Sequence, residues 1–290
     1  VEAIRSVTIR PAQHMKANEL GAIAPGKVAD IILVDNFEDF RVKKVITSGR
    51  LVAEDGKMLF HLEKKNFNKK ALGTVKIKRI DAIDMKIDFP IKDGELTVNA
   101  IDFTSYSRAN ESNFLDIALT KLNRARIRVK NHQPELREVA LVFVYERHGR
   151  NSGKAFGFVR NLIKRGAIAS TIAHDAHNLI VVGTNINDMV MAANLVIKSQ
   201  GGLTAVLNGE VLARIKLPVA GLMSEQPVQV VAGEMIKLRA AFDKMGVLDH
   251  PYMPIPCLLT LSVIPHARIT DRGIFDVDEQ SFVYPFVAEA

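Results

Sequence analysis

With 290 residues, the sequence is long enough for one large domain or for two to three smaller ones. Hydrophobic residues make up 48% of it and charged residues 24%, so the chain can bury a core and is not disordered by composition. The absence of Trp and a count of four Tyr argue against an aromatic stacking platform for nucleic acid. The single Cys257 cannot form an internal disulfide, which fits a buried thiol and a cytoplasmic location. No apolar run is long enough to span a bilayer, and no signal peptide pattern opens the chain.

The net charge of +7 is unevenly distributed. Residues 41–80 hold twelve Lys and Arg against three acidic residues, and a second basic cluster consists of Lys121, Arg124, Arg126, Arg128 and Lys130. Basic surfaces can attract nucleic acid or steer anions. A solvated face, or a face that meets an acidic partner domain, is the favoured interpretation, so we expect neither nucleic acid nor a membrane as a partner.

The first elements are predicted from apolar spacing and turn residues. Residues 1–17 show a helical pattern that starts at Val1 without a cap, and we therefore expect the chain to be a fragment, either a processed product or one half of a split protein. Pro25-Gly26 precedes an apolar strand that ends at Asp35. Further strands are predicted over 41–47 and 51–53, with tight turns at Ser48-Gly49 and Asp55-Gly56.

Two linkers are predicted in the middle of the chain. Residues 61–72 are rich in Lys and Asn and are typical of a linker, whereas 73–103 alternate as half-exposed strands do. A polar, irregular stretch follows, and we place a linker at 104–119. The predicted fold class is mixed α+β, with a small β-rich region over 20–103 and an α/β domain over 120–290.

The second half contains the clearest elements. A strand is predicted over 139–145, and Asn185 can cap a helix that carries Asp188 in its first turn and ends at Gly201-Gly202. Asn208-Gly209 predicts a hairpin between 203–207 and 210–215. A second helix is predicted to start near Ser224 and to end at Gly246, with an apolar stripe at Val231, Met235, Leu238, Phe242 and Met245.

The candidate site lies between two apolar strands, Ala167–Ala169 and Leu179–Val182, and consists of His174, Asp175, His177 and Asn178. Such polar groups are costly to bury unless they are paired. The spacing of the two histidines would suit a shared metal on a helix, but the flanking residues predict a strand and a turn. Asp175 or Glu146 would then have to complete the ligand shell. The alternative is a hydrogen-bonded turn in which Asp175 braces an imidazole and Asn178 caps backbone groups.

Several motifs resemble one protein family. Ala3–Ala12 and Gly21–Asp35 are similar to the tail of metal-dependent amidohydrolases, where the chain leaves the last helix of a (β/α)₈ barrel and returns to a small β-sandwich. Four further segments resemble the C-terminal domain of the adenine deaminase family: Glu146–Arg150, Gly166–Asn185, Leu217–Ser224 and Ile264–Gly273. One departure is Ala176, where Ser is expected in many members.

The resemblance implies a function for the whole protein and places the metal site outside this chain. The whole protein is expected to hydrolyse adenine to hypoxanthine and ammonia in purine catabolism, with a divalent metal, manganese or iron, activating the water. The metal ligands are expected in the barrel, which is largely absent from this chain, so residues 1–19 would be its terminal helix and 20–103 the β-sandwich-like region. The partners implied are adenine, the N-terminal barrel half and further copies in a homo-oligomer.

Within this resemblance, His174, Asp175, His177 and Asn178 are expected to line the mouth of the barrel, where they could orient the purine or move a proton. The chain alone would be inactive. Two alternatives remain open: a stand-alone hydrolase domain that carries its own metal, and a non-catalytic basic binding module. Metal analysis of the purified chain separates the first alternative from the fragment hypothesis, and binding of nucleic acid at low salt tests the second.

Overall fold

The structure is a computed structural model that describes residues 1–61, 69–103, 119–248 and 255–287. The chain forms two compact units, Val1–Asn66 and Phe67–Ala290. The division between them falls within the segment 61–72, which the sequence predicts as a linker. The other predicted linker, 104–119, lies outside the described residues except for residue 119.

The first unit begins with two short helices, α1 (Glu2–Val7) and α2 (Ile9–His14), where the sequence predicts one helix over 1–17. The break falls at Thr8, whose φ and ψ are −125° and −93°. Pro11 accounts for the break because, in a continuous helix, its ring would collide with the carbonyl of Val7 and its missing N–H would leave that carbonyl unpaired.

A four-stranded antiparallel sheet follows in the first unit. Its strands are β1 (Ile31–Val34), β2 (Val42–Thr47), β3 (Arg50–Glu54) and β4 (Lys57–Met58), in sequence order. The predicted turns at Ser48-Gly49 and Asp55-Gly56 are confirmed, and both residues of each turn have positive φ, as tight hairpin turns require. Among the described residues of this unit only Ala12 is buried, while Ile23 and Phe37 are 81% and 79% exposed. This unit therefore has little core of its own.

The second unit is built on a nine-stranded sheet. Its strands are β5 (Gly94–Asp102), β6 (Lys121–Lys130), β7 (Gln133–Glu135), β8 (Ala140–Tyr145), β9 (Lys154–Arg160), β10 (Ala167–Ser170), β11 (Leu179–Gly183), β12 (Gly202–Leu207) and β13 (Glu210–Lys216). Their order is β13-β12-β10-β11-β8-β9-β5-β6-β7, and all neighbours are antiparallel except β5 and β9. The sequence places residues 94–102 in the region 20–103, but β5 pairs along its whole length with β6. Its buried apolar face, which includes Leu96 and Val98, joins the same core as Ile127 of β6.

Two helices cover opposite faces of this sheet. Helix α3 (Ile186–Lys198) packs with one core through Met189 and Val196, and helix α4 (Val228–Met245) packs with the other through Leu238 and Phe242. Because both faces are covered, β8, β10 and β11 are buried along their whole length. The described residues also contain three short 3₁₀ segments: Lys69–Ala71, Ala82–Met85 and Ile255–Leu258. The predicted mixed α and β fold class is confirmed.

The ends of these two helices can be compared with the ends predicted from the sequence. The Asn185 side chain accepts the Asp188 N–H at 2.8 Å, which confirms the predicted cap of α3. Gly246 ends α4 in the left-handed conformation, with φ +63°, which confirms the predicted stop. Helix α4 begins at Val228 and not near Ser224, because Pro227 is extended, with φ −55° and ψ 147°, and the helix can start only after it. Before Pro227, the Ser224 hydroxyl accepts the Gln226 N–H at 3.1 Å.

A three-stranded antiparallel sheet packs against β9. It consists of β14 (Ala267–Thr270), β15 (Gly273–Asp276) and β16 (Ser281–Val283). Gly157 of β9 makes the close approach possible, since a Cβ there would lie 3.0 Å from Ile274. This packing holds the turn between β14 and β15, which carries Asp271, next to the main sheet. None of the helices within the described ranges combines the length and apolar character that crossing a membrane requires.

Candidate functional site

The segment that the sequence singles out is a turn between two buried strands. Residues 174–178, hereafter the His174–Asn178 turn, lie between β10 and β11, which pair antiparallel with Ser170 opposite Ile180. The rings of His174 and His177 are half-buried, Asp175 is exposed and Asn178 is 5% exposed. The predicted strand, turn and strand are therefore confirmed, and the structure places all four polar residues on one short turn.

Backbone hydrogen bonds fix the start of the turn. The His177 N–H donates to the carbonyl of Ala173 at 2.7 Å, and the His174 N–H donates to the carbonyl of Cys257 at 3.1 Å. The hydroxyl of Thr260 donates to the His174 carbonyl at 2.6 Å. The turn is thus held by the segment around residues 257–260 as well as by its own strands.

The two imidazoles contact each other edge to face, and one of them has a defined tautomer. Their ring centroids are 5.0 Å apart with an interplanar angle of 61°. The Ala173 N–H donates to Nδ1 of His177 at 3.3 Å. A ring nitrogen that accepts a hydrogen bond carries no proton, so neutral His177 holds its proton on Nε2. His177 can therefore donate a hydrogen bond through Nε2.

The surroundings of His177 favour its neutral form. Burial lowers the pKa of His177, and the positive charges of His174, Arg147 and His148 lower it further, while Asp175 acts in the opposite direction. At neutral pH the ring is therefore uncharged, with a proton ready to donate from Nε2.

This lowered pKa predicts how stability changes with pH. Because the folded pKa of His177 lies below its ordinary value of 6.5, the neutral ring's stabilising contribution is complete above that pH. It is lost as the pH falls through the lowered pKa. We expect the free energy of unfolding, measured with urea at about pH 7.5 and about pH 5, to fall more in the native chain than in His177→Asn. His132→Asn, which removes an exposed ring, should behave like the native chain; equal pH dependence in all three proteins would contradict the prediction.

Arg147 joins the turn to two other segments. It lies two residues after the end of β8, and its side chain is buried, with 2% exposure. Nε donates to the carbonyl of His177, Nη2 donates to the carbonyl of Ala220 at 2.9 Å, and Nη1 donates to the hydroxyl of Thr74 at 3.0 Å. The sequence pattern assigns no role to Arg147 by itself, because it stands in a polar stretch after the end of a strand.

Asn178 is locked by hydrogen bonds on both sides of its amide. Its Oδ1 accepts the Arg147 N–H at 3.3 Å, and its Nδ2 donates to Oδ1 of Asp271 at 3.2 Å. Asp271 was not among the predicted site residues, although it lies in the motif 264–273. Asn178 therefore fixes the turn against β14 and β15, and both of its polar atoms are used in doing so.

Glu146 organises the loop beside the turn. Its carboxylate accepts the backbone N–H groups of His148, Gly149 and Arg150 at 2.6 to 3.1 Å. Burial raises the pKa of Glu146, but hydrogen bonds from the backbone of residues 148 and 150–152 outweigh it, so the pKa lies below its ordinary value. The loop in turn presents His148, whose Nε2 lies 2.8 Å from the carbonyl of Ala176.

The polar side chains of the turn do not form a metal centre. Within the described ranges, no group of three or more His, Cys, Asp and Glu is arranged to hold a metal ion. Nδ1 of His177 already accepts a backbone N–H, and the Glu146 carboxylate is directed at its own loop. The geometry therefore does not support a shell completed by Asp175 or Glu146.

Other surface features lie apart from the turn. A cavity of about 580 Å³ opens beside the start of α3, with Met85, Phe89 and Leu141 among its apolar lining and Asn185 at its edge. On β6, Arg124, Arg126, Arg128 and Lys130 are all exposed on one face of the strand. Acidic residues accompany them, with Glu95 4.0 Å from Arg126 and Glu135 opposite Arg128, so the basic cluster is not an uninterrupted positive surface.

Comparison with known proteins identifies the class and then the family. Residues 1–52 match the amidohydrolase family, and residues 118–281 match the adenine deaminase C-terminal domain. The second match covers more than half of the chain and includes the His174–Asn178 turn, Arg147 and Asp271. The chain belongs to the adenine deaminase C-terminal domain family, which confirms the resemblance seen in the sequence motifs.

The similar proteins are longer than this chain. An adenine deaminase of Clostridium botulinum (strain Langeland) is 36% identical over 291 residues, which cover 99% of this chain and 47% of that protein. An adenine deaminase of Clostridium perfringens (strain ATCC 13124) is 34% identical, covering 98% and 50%. An adenine deaminase of Kosmotoga olearia is 34% identical, covering 100% and 48%. The chain spans about half the length of the curated relatives it matches.

Proposed function

We propose that this chain is the C-terminal portion of an adenine deaminase, which hydrolyses adenine to hypoxanthine and ammonia. The observation that carries the proposal is the family match over 118–281, together with relatives named adenine deaminase that align along 98–100% of this chain. Purine catabolism in the cytoplasm and assembly into a homo-oligomer belong to the same proposal as predictions. Sedimentation of the purified protein measures the assembly directly.

The metal belongs to the other half of the enzyme in this proposal. A divalent ion, manganese or iron, supplies the activated water when it is bound, and the described residues of this chain contain no cluster that fits it. The exposed apolar side chains of the first unit, including Ile23 and Phe37, support a partner half that covers them. The N-terminal half would therefore carry the metal site and bury these side chains.

The His174–Asn178 turn is this chain's contribution to the site. The half-buried ring of His177 can donate from Nε2 to a purine nitrogen or pass a proton toward the leaving ammonia, and the exposed Asp175 carboxylate can accept a hydrogen bond. Asn178 fills a different role, because both polar atoms of its amide are bonded within the chain, to Arg147 and Asp271. It holds the turn in place.

Replacing the imidazoles tests this contribution. In the complete enzyme, His174→Asn and His177→Asn are each expected to lower kcat for ammonia release from adenine by at least about tenfold, since positioned proton transfer contributes about 10²–10⁴-fold in enzymes. His132→Asn, in the turn between β6 and β7, is the matched control and should keep native kcat. Native turnover in both turn variants, with native circular dichroism, would end the proposed role of the turn.

A separate measurement tests the division between the two halves. The purified 290-residue chain is assayed for bound metal and for ammonia release from adenine, with and without added manganese or iron. The proposal predicts neither stoichiometric metal nor turnover. Tightly held metal together with turnover by the isolated chain would favour the alternative of a stand-alone hydrolase.

A further inference from the structure

Arg147 is a buried cation whose hydrogen bonds to the described part of the chain go to neutral oxygens. Its three acceptors are the carbonyl of His177, the carbonyl of Ala220 and the hydroxyl of Thr74. The carboxylate of its neighbour Glu146 accepts backbone N–H groups of residues 148–150. Burying a charge is costly unless hydrogen bonds replace its hydration. A charged side chain in this position therefore calls for a role beyond filling the core.

The shape of the guanidinium explains why the position holds Arg. Its planar fork directs N–H groups to three acceptors from separate segments, which a lysine ammonium on a flexible stem cannot reproduce. The chain makes room for this fork at Gly221, because a Cβ there would lie 2.6 Å from Nη1 of Arg147. The segment 217–224 and the His174–Asn178 turn are thus joined through a single side chain.

We propose that Arg147 is a positioning residue of the candidate site, which fixes the His174–Asn178 turn and thereby holds the His177 ring with its proton on Nε2. Two contacts support this role. The guanidinium binds the carbonyl of His177 itself, and the backbone N–H of Arg147 binds the amide of Asn178 at the end of the turn. This inference rests on the proposed function of the turn and assigns the residue that maintains its geometry.

The positive charge of Arg147 favours the neutral form of His177, the same form that the hydrogen bonds of the turn require. His177 is faced by His174 and Asp175 from its own turn, and by Arg147 and His148 from the 146–153 loop. Asp271, on the turn between β14 and β15, accepts a hydrogen bond from the amide of Asn178 at the end of the His174–Asn178 turn. The positive charge of Arg147 adds to burial in keeping the pKa of His177 low. Removing this charge therefore shifts the titration of His177 upward.

Nuclear magnetic resonance of labelled histidines measures both effects without relying on activity. In Arg147→Gln, we expect the His177 titration to move to higher pH and its ring to become a mixture of tautomers. Arg147→Lys keeps the charge and loses the fork, so tautomer mixing is expected with a smaller shift of the titration. Arg268→Lys, at another buried arginine, is the matched control and should leave the His177 signals native. The signals are assigned with His177→Asn.

A milder variant and an activity assay make the outcomes decisive. Thr74→Val removes one acceptor of Arg147 and keeps the charge of the guanidinium, and it should also perturb the His177 signals. This variant tests the inference even if the Arg147 variants do not fold. In the complete enzyme, the acidic limb of the kcat profile for ammonia release should move up in Arg147→Gln together with the His177 titration. Native His177 signals in folded Arg147→Gln and Thr74→Val would overturn the inference. Perturbed signals with native kcat would uphold Arg147 as the anchor of the turn and would refute the proposed catalytic role of the turn.

Discussion

Gly221→Ala is expected to lower the free energy of unfolding of the second unit by about 3 kcal/mol. Two costs combine at this position. The backbone has φ +72°, a left-handed conformation that costs a residue with a Cβ about 1–2 kcal/mol. The new Cβ would also lie 2.6 Å from Nη1 and 2.8 Å from Cζ of Arg147.

The collision with Arg147 cannot be relieved cheaply. The end of an arginine side chain is usually flexible, but here its N–H groups are bound to His177, Ala220 and Thr74. Moving the guanidinium away breaks these hydrogen bonds and leaves a buried charge without its acceptors. We therefore expect Gly221→Ala to disturb the His174–Asn178 turn in addition to destabilising the fold.

Gly209→Ala is the matched control for the backbone cost. Gly209 has φ +78°, and no heavy atom lies within 4 Å of the position that its Cβ would take. Urea unfolding followed by circular dichroism should show a loss of about 1 kcal/mol for this control and a clearly larger loss for Gly221→Ala. Equal losses in the two variants would show that Arg147 accommodates the methyl group, and that its anchoring is weaker than the geometry indicates.

The local elements follow from short stretches of sequence. Ser48-Gly49, Asp55-Gly56 and Asn208-Gly209 each predict a hairpin, and each has positive φ at both turn residues. Asn185 and Gly246 likewise mark helix ends through groups within a few residues of the helix. Such signals can be read from the sequence because the interacting atoms are close together along the chain.

The order of the strands could not be predicted in the same way. β5 pairs with β6 on one side, while on the other it meets β9, some sixty residues later, in the only parallel contact of the described sheets. An alternating apolar pattern indicates a strand and its buried face but does not name its neighbour. The predicted region 20–103 contains β5 for this reason, although β6 and β9, which pair with it, come after residue 120.

The candidate site shows the same limit. The dense polar residues His174, Asp175, His177 and Asn178 were visible because they interrupt two apolar runs. The groups that hold them were not visible, since Arg147, Thr74 and Asp271 lie far from the turn along the sequence. The resemblance motifs at 146–150, 217–224 and 264–273 contain Arg147, Gly221 and Asp271, so they mark the segments that hold the turn. These three segments meet around the turn through the contacts of Arg147, Gly221 and Asp271.

Asp188 has a second role that its position in the sequence does not reveal. It was predicted only as a favourable charge in the first turn of α3. In the structure it is 1% exposed, and its carboxylate accepts the N–H groups of Asn208 and Gly209 at 2.9 and 2.7 Å and the Asn185 amide at 2.8 Å. The start of α3 is thereby tied to the turn between β12 and β13.

Asp188→Ala is expected to destabilise the second unit by about 2 kcal/mol, since it removes a buried, charged acceptor of three hydrogen bonds, two of which hold the exposed turn at Asn208 and Gly209. Asn185→Ala removes the cap and one of the three donors, so a loss of about 1 kcal/mol is expected. Asn187→Ala, at the exposed position between them, should stay within about 0.5 kcal/mol of the native chain. Urea unfolding of the three variants measures this order, and hydrogen exchange at Asn208 and Gly209 should accelerate most in Asp188→Ala. If exchange at these two amides stays native in Asp188→Ala, the carboxylate does not hold the turn, and the stability of α3 depends on its cap and its apolar face alone.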